Sequence, residues 1–377
     1  VPVPDPLPDP LSDPLSDRPL PALTGPVLVV GAGLVGTSVA LALVEAGVEV
    51  LLSDHHPENV RTASGLGAGR SAESRPGAEI GLVVVAVPPD ALGGVVAEAL
   101  QRHPRAVVTD VGSVKTQPLL EVTAADRDVV HRYVGSHPMA GSERSGPLAA
   151  TSTLFQGRPW AITPHASADP DAVETVEALV ALCGGTPVWL TPEEHDRAVA
   201  RTSHVPHLVS ALVAGRLADA PEQHLALTGQ GVRDVTRVAG GDPALYGQIV
   251  SGNATAVVEL LGEVRADLDR LIAAVGGGDR GTLVDLLDHG VAGTRAIPAK
   301  HGGPPRAMQS VWVSVPDHPG ELARLFADAV ASGVNIEDIR IDHDPGRPTG
   351  RVELVVDATR AEHLLGSLEE REWVTHR

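Results

Sequence analysis

A short β-branched run that ends in Gly31-Ala32-Gly33-Leu34-Val35-Gly36 limits the possible folds of this chain more than any other stretch. Val27-Leu28-Val29-Val30 leads straight into the glycines, a helix-like spacing of apolar residues (Leu41, Leu43, Val44) follows, and a second apolar run, 48–52, ends in Ser53-Asp54. Strand, glycine turn, helix and strand form the context in which Gly-x-Gly-x-x-Gly binds a dinucleotide. Gly31 permits the tight turn, Gly33 lets backbone approach a pyrophosphate, and Gly36 lets the helix pack closely on the strand. Leu34 and Val35 open the helix, whose N-terminal N–H groups and partial positive charge suit phosphates. Asp54, eighteen residues after Gly36, is expected to bond the adenosine ribose hydroxyls, which favours NAD over NADP.

Two further strands, 81–87 and 106–111, keep the rhythm and end in Pro- or Gly-rich segments. Val87 and Asp110 are therefore expected beside the cofactor, at the carboxyl edge of a parallel sheet. In Asp110-Val111-Gly112-Ser113-Val114-Lys115, Ser113 either bonds a substrate hydroxyl or caps a helix. Lys115 is expected to stabilise this loop or the nearby phosphates. His137 follows a short strand at 132–135 and opens the loop-like run His137-Pro138-Met139-Ala140-Gly141-Ser142-Glu143. An imidazole there is a candidate base, because its proton equilibrium lies near neutrality; a buried histidine bonded to backbone is the plain alternative.

Composition narrows the partners. A formal net charge of −19 and a pI near 5.2 argue against nucleic acid and against anionic lipid. Gly, Pro or charge interrupts every apolar run before it reaches the length of a membrane span. The single Cys183 cannot form an internal disulfide, so a reducing, cytoplasmic setting is expected. Residues 1–24 repeat an Asp-Pro-Leu unit at a proline density that blocks both helix and ladder, and read as a disordered tail.

Five blocks in order resemble the prephenate and arogenate dehydrogenases of tyrosine biosynthesis. They are the glycine run 31–36, the Asp110-to-Lys115 run, Gly135-Ser136-His137-Pro138-Met139-Ala140-Gly141-Ser142-Glu143, Ser203-His204-Val205-Pro206-His207, and Gly231-Val232-Arg233-Asp234-Val235-Thr236-Arg237. The resemblance covers roughly 25–300. It implies NAD as cofactor, prephenate or arogenate as substrate, a homodimer, and hydride removal from a ring carbon followed by loss of CO₂. By the family pattern His137 accepts the C4 hydroxyl proton, Ser113 orients that hydroxyl, and His207 lies nearby. Arg237 matches the arginine that grips the ring carboxylate. Glu143, Arg233 and Asp234 match an ionic gate, and Ser142 belongs to the same substrate-binding group. Tyr246 is expected at the pocket mouth, from this chain or from the partner subunit, with simple packing as the alternative.

The resulting fold class is a Rossmann-type α/β domain at 25–152, an all-α substrate and dimerisation domain at 153–298, a linker at 299–307, and an α+β domain at 308–377. The last segment, with Asp317-His318-Pro319-Gly320-Glu321-Leu322 and Gly333-Val334-Asn335-Ile336 in a β-α-β-β-α order, resembles the ferredoxin-like ACT regulatory domain. That likeness implies an amino-acid effector such as tyrosine held at Asp317, Gly320 and Asn335; a purely structural dimerisation unit is the alternative, and Asp317 also reads as a helix cap. His204 and His207, three apart on an expected helix 199–217, could pair on zinc, but no Cys or acidic cluster completes a ligand set, so no metal is expected. A non-catalytic NAD and amino-acid sensor and a β-hydroxyacid dehydrogenase are the competing functions.

Overall fold

The computed structural model describes residues 23–141, 145–298, 307–342 and 348–376. The tail before Leu23, the linker before Ala307, and the site candidates Ser142 and Glu143 lie outside the described residues. The chain divides into two compact units that part after Leu268, inside one helix.

The first unit opens with β1 (Val27–Val30), α1 (Leu34–Glu45), β2 (Val50–Ser53), α2 (Pro57–Gly65), β3 (Arg70–Ser71), β4 (Leu82–Val85), α3 (Pro89–Arg102), β5 (Val107–Asp110) and α4 (Thr116–Ala125). Five strands lie parallel in the order β3-β2-β1-β4-β5, with Val27 opposite both Val50 and Leu82. Helices cover both faces, which is why these strands are unbroken apolar runs rather than alternating ones. Val29, Leu52 and Val84 pack with α1 on one face, and Val83, Val85 and Val108 with Leu92, Val96 and Leu100 of α3 on the other. The order reverses between β1 and β4, so the crevice of such a sheet opens where Val30 and Val85 end.

The chain next forms β6 (Gly135–Pro138), β7 (Pro159–Thr163), α5 (Pro170–Leu182) and β8 (Thr186–Trp189). This three-stranded sheet runs β6-β7-β8, antiparallel and then parallel. It corrects two expectations. The segment from 153 is not helical throughout, because Trp160, Ile162 and Leu179 join the same core as Val29 and Leu52. His137 does not follow a strand in a loop; it sits within β6, opposite Ala161 of β7.

Helices then dominate: α6 (Pro192–Val199), a π turn (Ala200–His204), α7 (Val205–Ala218), α8 (Glu222–Leu225), α9 (Gln230–Thr236), a 3₁₀ turn (Arg237–Gly240), α10 (Pro243–Gly252) and α11 (Ala254–Gly277). A reciprocal capping box starts α6: Glu194 donates its N–H to the Thr191 hydroxyl at 3.2 Å, and Thr191 donates to the Glu194 carboxylate at 2.9 Å. No helix among the described residues is long and apolar enough to cross a membrane.

The second unit holds the end of α11, then α12 (Arg280–Arg295), β9 (Met308–Pro316), α13 (Glu321–Ala331), β10 (Asp338–Asp342), β11 (Thr349–Asp357), α14 (Ala358–Glu369) and β12 (Val374–His376). Its sheet is antiparallel in the order β10-β11-β9-β12. Val311, Val313 and Val315 of β9 alternate inward at the strand period and pack with Leu325, Leu354, Leu364 and Trp373. Asp317 does not cap α13. The cap position is Gly320, in the left-handed region at φ +98° and without a side-chain bond. The strand that follows Gly333-Val334-Asn335-Ile336 runs from Asp338 to Asp342.

Candidate active site

The glycine turn is shaped by close backbone approach. Gly31 has φ +100°, and a Cβ on it would collide with the Ala86 carbonyl after β4; one on Gly36 would collide with the Gly31 carbonyl. Around a Cβ on Gly33, by contrast, there is no atom of the described residues within 4 Å, and none of their side chains caps α1. An open space therefore faces uncapped N–H groups of the first turn at Gly33, Leu34 and Val35, which is the space a pyrophosphate needs. Val87 borders the turn, with its Cγ1 3.3 Å from the position of a Gly31 Cβ. Asp54 braces the loop: its carboxylate accepts the Ala32 N–H at 2.7 Å and the His56 N–H at 2.8 Å. His55 Nδ1 also lies 3.4 Å from Oδ1, whereas the only hydrogen bond Oδ2 accepts among the described residues is that from Ala32.

Asp110 departs from the expectation. Its carboxylate is fully buried and committed to the Lys115 ammonium, to the Tyr133 hydroxyl at 2.7 Å and to the Gly112 N–H at 2.8 Å. With no face left for a cofactor, it acts as the counter-ion of Lys115. Lys115 is as deeply buried and also donates to the Ser136 carbonyl at 2.7 Å, so this charge stabilises the loop and the strand carrying His137. Burial pulls the Lys115 ammonium below its usual range, against the attraction of Asp110, and pushes the Tyr133 phenol well above its own.

His137 is half-buried and extends a chain of buried groups. Its Nδ1 lies 2.9 Å from Nε2 of His195, and His195 Nδ1 lies 2.9 Å from Oδ1 of Asp196. His195 and Asp196, from α6, are 1% and 4% exposed. Burial first, then the neighbouring His195, Lys115 and His204, holds the His137 imidazole well below the usual histidine range. Burial likewise lowers His195, against its bond to Asp196. For Asp196 burial works upward, but the bonds from His195 and Thr116 outweigh it and keep the carboxyl below its usual value.

Asp196 also answers the question of the cap on α4. Ser113 sits half-buried in the loop and does not cap this helix; the cap position is Lys115, whose side chain bonds elsewhere. The N–H groups of Lys115 and Thr116 both donate to the Asp196 carboxylate at 2.9 Å. Neither His195 nor Asp196 was singled out from sequence, because Glu193-Glu194-His195-Asp196 reads as the charged first turn of a capped surface helix.

The π turn decides which histidines share a face. Pro206 has no N–H for a regular i→i−4 bond and its ring crowds that carbonyl, and the wider turn relieves both. Asp196 and His204 are eight positions apart, which a plain α-helix leaves about 80° out of phase, while one extra residue reverses about 100°. The two accordingly share Asn253, whose Nδ2 donates to the Asp196 carbonyl at 2.7 Å and meets His204 Nδ1 at 3.2 Å. Burial lowers the His204 imidazole to about 4. His204 and His207, three apart, take different partners, Asn253 for the first and Tyr246 for the second.

His207 stacks on Tyr246 of α10 in the same chain, with ring centroids 3.4 Å apart and planes within 8°. Gly241 lies against both rings, and Ser210 anchors α9 by donating to the Val235 carbonyl at 2.7 Å. His207 is 7% exposed, and its Nδ1 has no hydrogen-bond partner among the described residues. Arg233 and Arg237 are exposed, on α9 and on the turn that leads to Gly241, while Asp234 accepts from Gln230 at 2.9 Å. In unit two, Gly320 forms the left-handed turn before α13, Asp317 donates its N–H to Pro348, and Asn335 donates to the Glu337 carboxylate.

Comparison with known proteins gives these features a family. Residues 39–198 match the model of the prephenate dehydrogenase nucleotide-binding domain, and 191–289 that of the prephenate dehydrogenase dimerization domain. The chain is 38% identical to the probable prephenate dehydrogenase NovF of Streptomyces niveus, over 92% of this chain and 98% of that one. Among solved structures it is similar to the A. aeolicus prephenate dehydrogenase in complex with hydroxyphenyl propionate and NAD⁺ (26% identity, TM-score 0.65, 72% of this chain and 97% of that one). It is also similar to Synechocystis arogenate dehydrogenase (27% identity, TM-score 0.61, 71% and 98%). The nucleotide-binding match runs past β8 into α6, and the core it shares with β1 and β2 reaches Cys183 at the end of α5. With a relative of this identity along almost its whole length, the chain belongs to the prephenate dehydrogenase family.

Proposed function

We propose that the protein oxidises prephenate with NAD⁺ and releases CO₂ to give 4-hydroxyphenylpyruvate. Gly31, Gly33, Leu34, Val35 and Gly36 hold the pyrophosphate, Val87 flanks it, and Asp54 takes the ribose. The nicotinamide supplies the hydride acceptor. His137 accepts the proton of the C4 hydroxyl, and Ser113 orients that hydroxyl. The unpaired Nδ1 of His207 offers the substrate a polar contact. Arg237 grips the ring carboxylate with its guanidinium fork, while Arg233 and Asp234 supply charges of the ionic gate to which the family pattern also assigns Glu143, with Ser142 in the substrate-binding group. Tyr246 fixes the plane of His207.

The observation that carries this reading is the placement of His137 on β6, with Nδ1 tied 2.9 Å from His195 Nε2 and through it to Asp196, where burial also favours the neutral imidazole that can accept a proton. A proton acceptor of this kind contributes about 10²–10⁴ in rate. NADH formation, read by its near-ultraviolet absorbance with prephenate and with arogenate in parallel, is the test. Prephenate is expected to turn over, and His137→Asn to lose a factor in that range while still binding NAD⁺. No NADH from either substrate at saturating NAD⁺ would sink the assignment. The similarity to an arogenate dehydrogenase favours arogenate as the second reading, and the parallel assay separates the two.

Apolar side chains left exposed on α7, α11 and α12, among them Leu212 (67%), Ile272 (62%) and Leu287 (60%), support pairing with a second copy of the chain. We read the nucleotide-binding domain as ending near 190 and the segment 308–377 as an ACT domain. In that reading tyrosine, held near Asp317, Gly320 and Asn335, feeds back on turnover.

A further inference from the structure

We infer that His195 and Asp196 are positioning residues that fix the tautomer of His137, so that its Nε2 is always the proton-accepting nitrogen. The argument runs inward from Asp196. Its carboxylate, held ionised by N–H donors from Lys115 and Thr116, can only accept. The nitrogen of His195 that touches it, Nδ1, must therefore carry the proton. In a neutral ring that leaves Nε2 of His195 as a bare lone pair. The atom 2.9 Å away, His137 Nδ1, must then be the donor, and the lone pair of His137 falls on Nε2.

The reverse arrangement needs either a protonated His195 or a turned-over His195 tautomer. Burial of His195 opposes the first, and the second would set an N–H-free nitrogen against a carboxylate, leaving two acceptors in contact with no proton between them. The placement is also rigid. The bond of the Asn253 amide to the Asp196 carbonyl, the two N–H bonds from the start of α4 and the pairing of β6 with β7 fix both ends of the chain. An imidazole tautomer costs little to exchange in water, so a free His137 would present Nε2–H part of the time, and that form cannot take the substrate proton. The pair removes it.

The inference rests on the proposed role of His137 as the acceptor, but its first test does not. In the protein with ¹⁵N-labelled histidine, the His137 resonances, identified by their loss in His137→Asn, are expected to show a protonated Nδ1 and a lone-pair Nε2 at neutral pH without substrate. A protonated Nε2 would overturn it, whatever the enzyme oxidises. The kinetic test uses His195→Leu and His195→Gln, both of which leave Asp196 on the N–H groups of α4. His195→Leu is expected to lower kcat by about 10²-fold or more with KM and NAD⁺ affinity within about twofold. His195→Gln, whose amide oxygen still accepts from His137 Nδ1, is expected to recover part of that loss. Equal losses in the two variants, or a loss confined to KM, would make His195 merely structural. Absence of NADH from the unaltered enzyme would instead defeat the proposed reaction and leave the resonance result standing.

Discussion

At the end of β1 the chain prepares a binding surface by leaving side chains out, whereas around His137 it does so by burying them. In the glycine turn the groups offered to a ligand are backbone N–H donors. Two of its three glycines are demanded by the protein's own carbonyls, and the third meets no described residue within 4 Å. Around His137 the working groups are an ion pair, three imidazoles, a carboxylate, a phenol and an amide, each with a partner inside the protein. The first kind of site tolerates no added atom. The second tolerates no lost partner, because a buried polar group stripped of its bond retains its desolvation penalty.

Removing a partner should have the largest effect. Lys115→Met keeps most of the side-chain volume but leaves the Asp110 carboxylate buried without its cation, and is expected to destabilise the first unit by about 3–5 kcal/mol in urea titrations. A loss under about 1 kcal/mol would mean that the pair is not the anchor described here. Adding an atom comes next, and it separates the glycines. Gly31→Ala, at φ +100° and against the Ala86 carbonyl, should lower stability by about 3 kcal/mol. Gly33→Ala should leave stability within about 0.5 kcal/mol and still weaken NAD⁺ binding severalfold, since the space it fills belongs to the ligand. Equal effects of the two on stability would erase the distinction.

A last effect appears only at acid pH. The folded-state value of His204 is depressed to about 4, so between that value and the unfolded value the unfolded chain binds a proton that the native one refuses. This group's contribution is therefore constant above about pH 7.5 and turns against folding as pH falls, by about 2 kcal/mol at pH 5. His204→Gln, whose amide can still meet Asn253, should match the parent at pH 8 and outlast it by about that amount at pH 5. Parallel pH curves for the two proteins would remove His204 from the buried group.

The same contrast explains what the sequence discloses. The glycine turn is legible because its constraint is local: strand, turn, helix and the acid after β2 fall within about thirty residues. The His137 group is drawn from 110–115, 133–137, 195–204 and 253, and only the parts inside family motifs were visible. Asp110 was read as facing the cofactor because nothing beside it announces Tyr133 as a partner. His195 and Asp196 look like solvated first-turn residues until the start of α4 is seen above them. β7 was missed for the same kind of reason. Pro159-Trp160-Ala161-Ile162-Thr163 is too short to declare a period, and its strand character comes from its pairing with β6 and β8.

The π turn at 200–204 has a consequence for how this site tolerates change in evolution. A helix is normally the most forgiving of elements, since an exchange at one position leaves the rest of its faces in place. Here the orientation of everything downstream is stored in the length of the chain, as a single surplus residue. That surplus is a local imperfection, poorer in hydrogen-bond geometry than the regular helix beside it. What it gives in return is the placement of Asp196 and His204 on Asn253 and of His207 against Tyr246. Selection on these histidines is thus selection on a count as well as on identities, and insertions or deletions in α6 and α7 should be far rarer among functional descendants than substitutions.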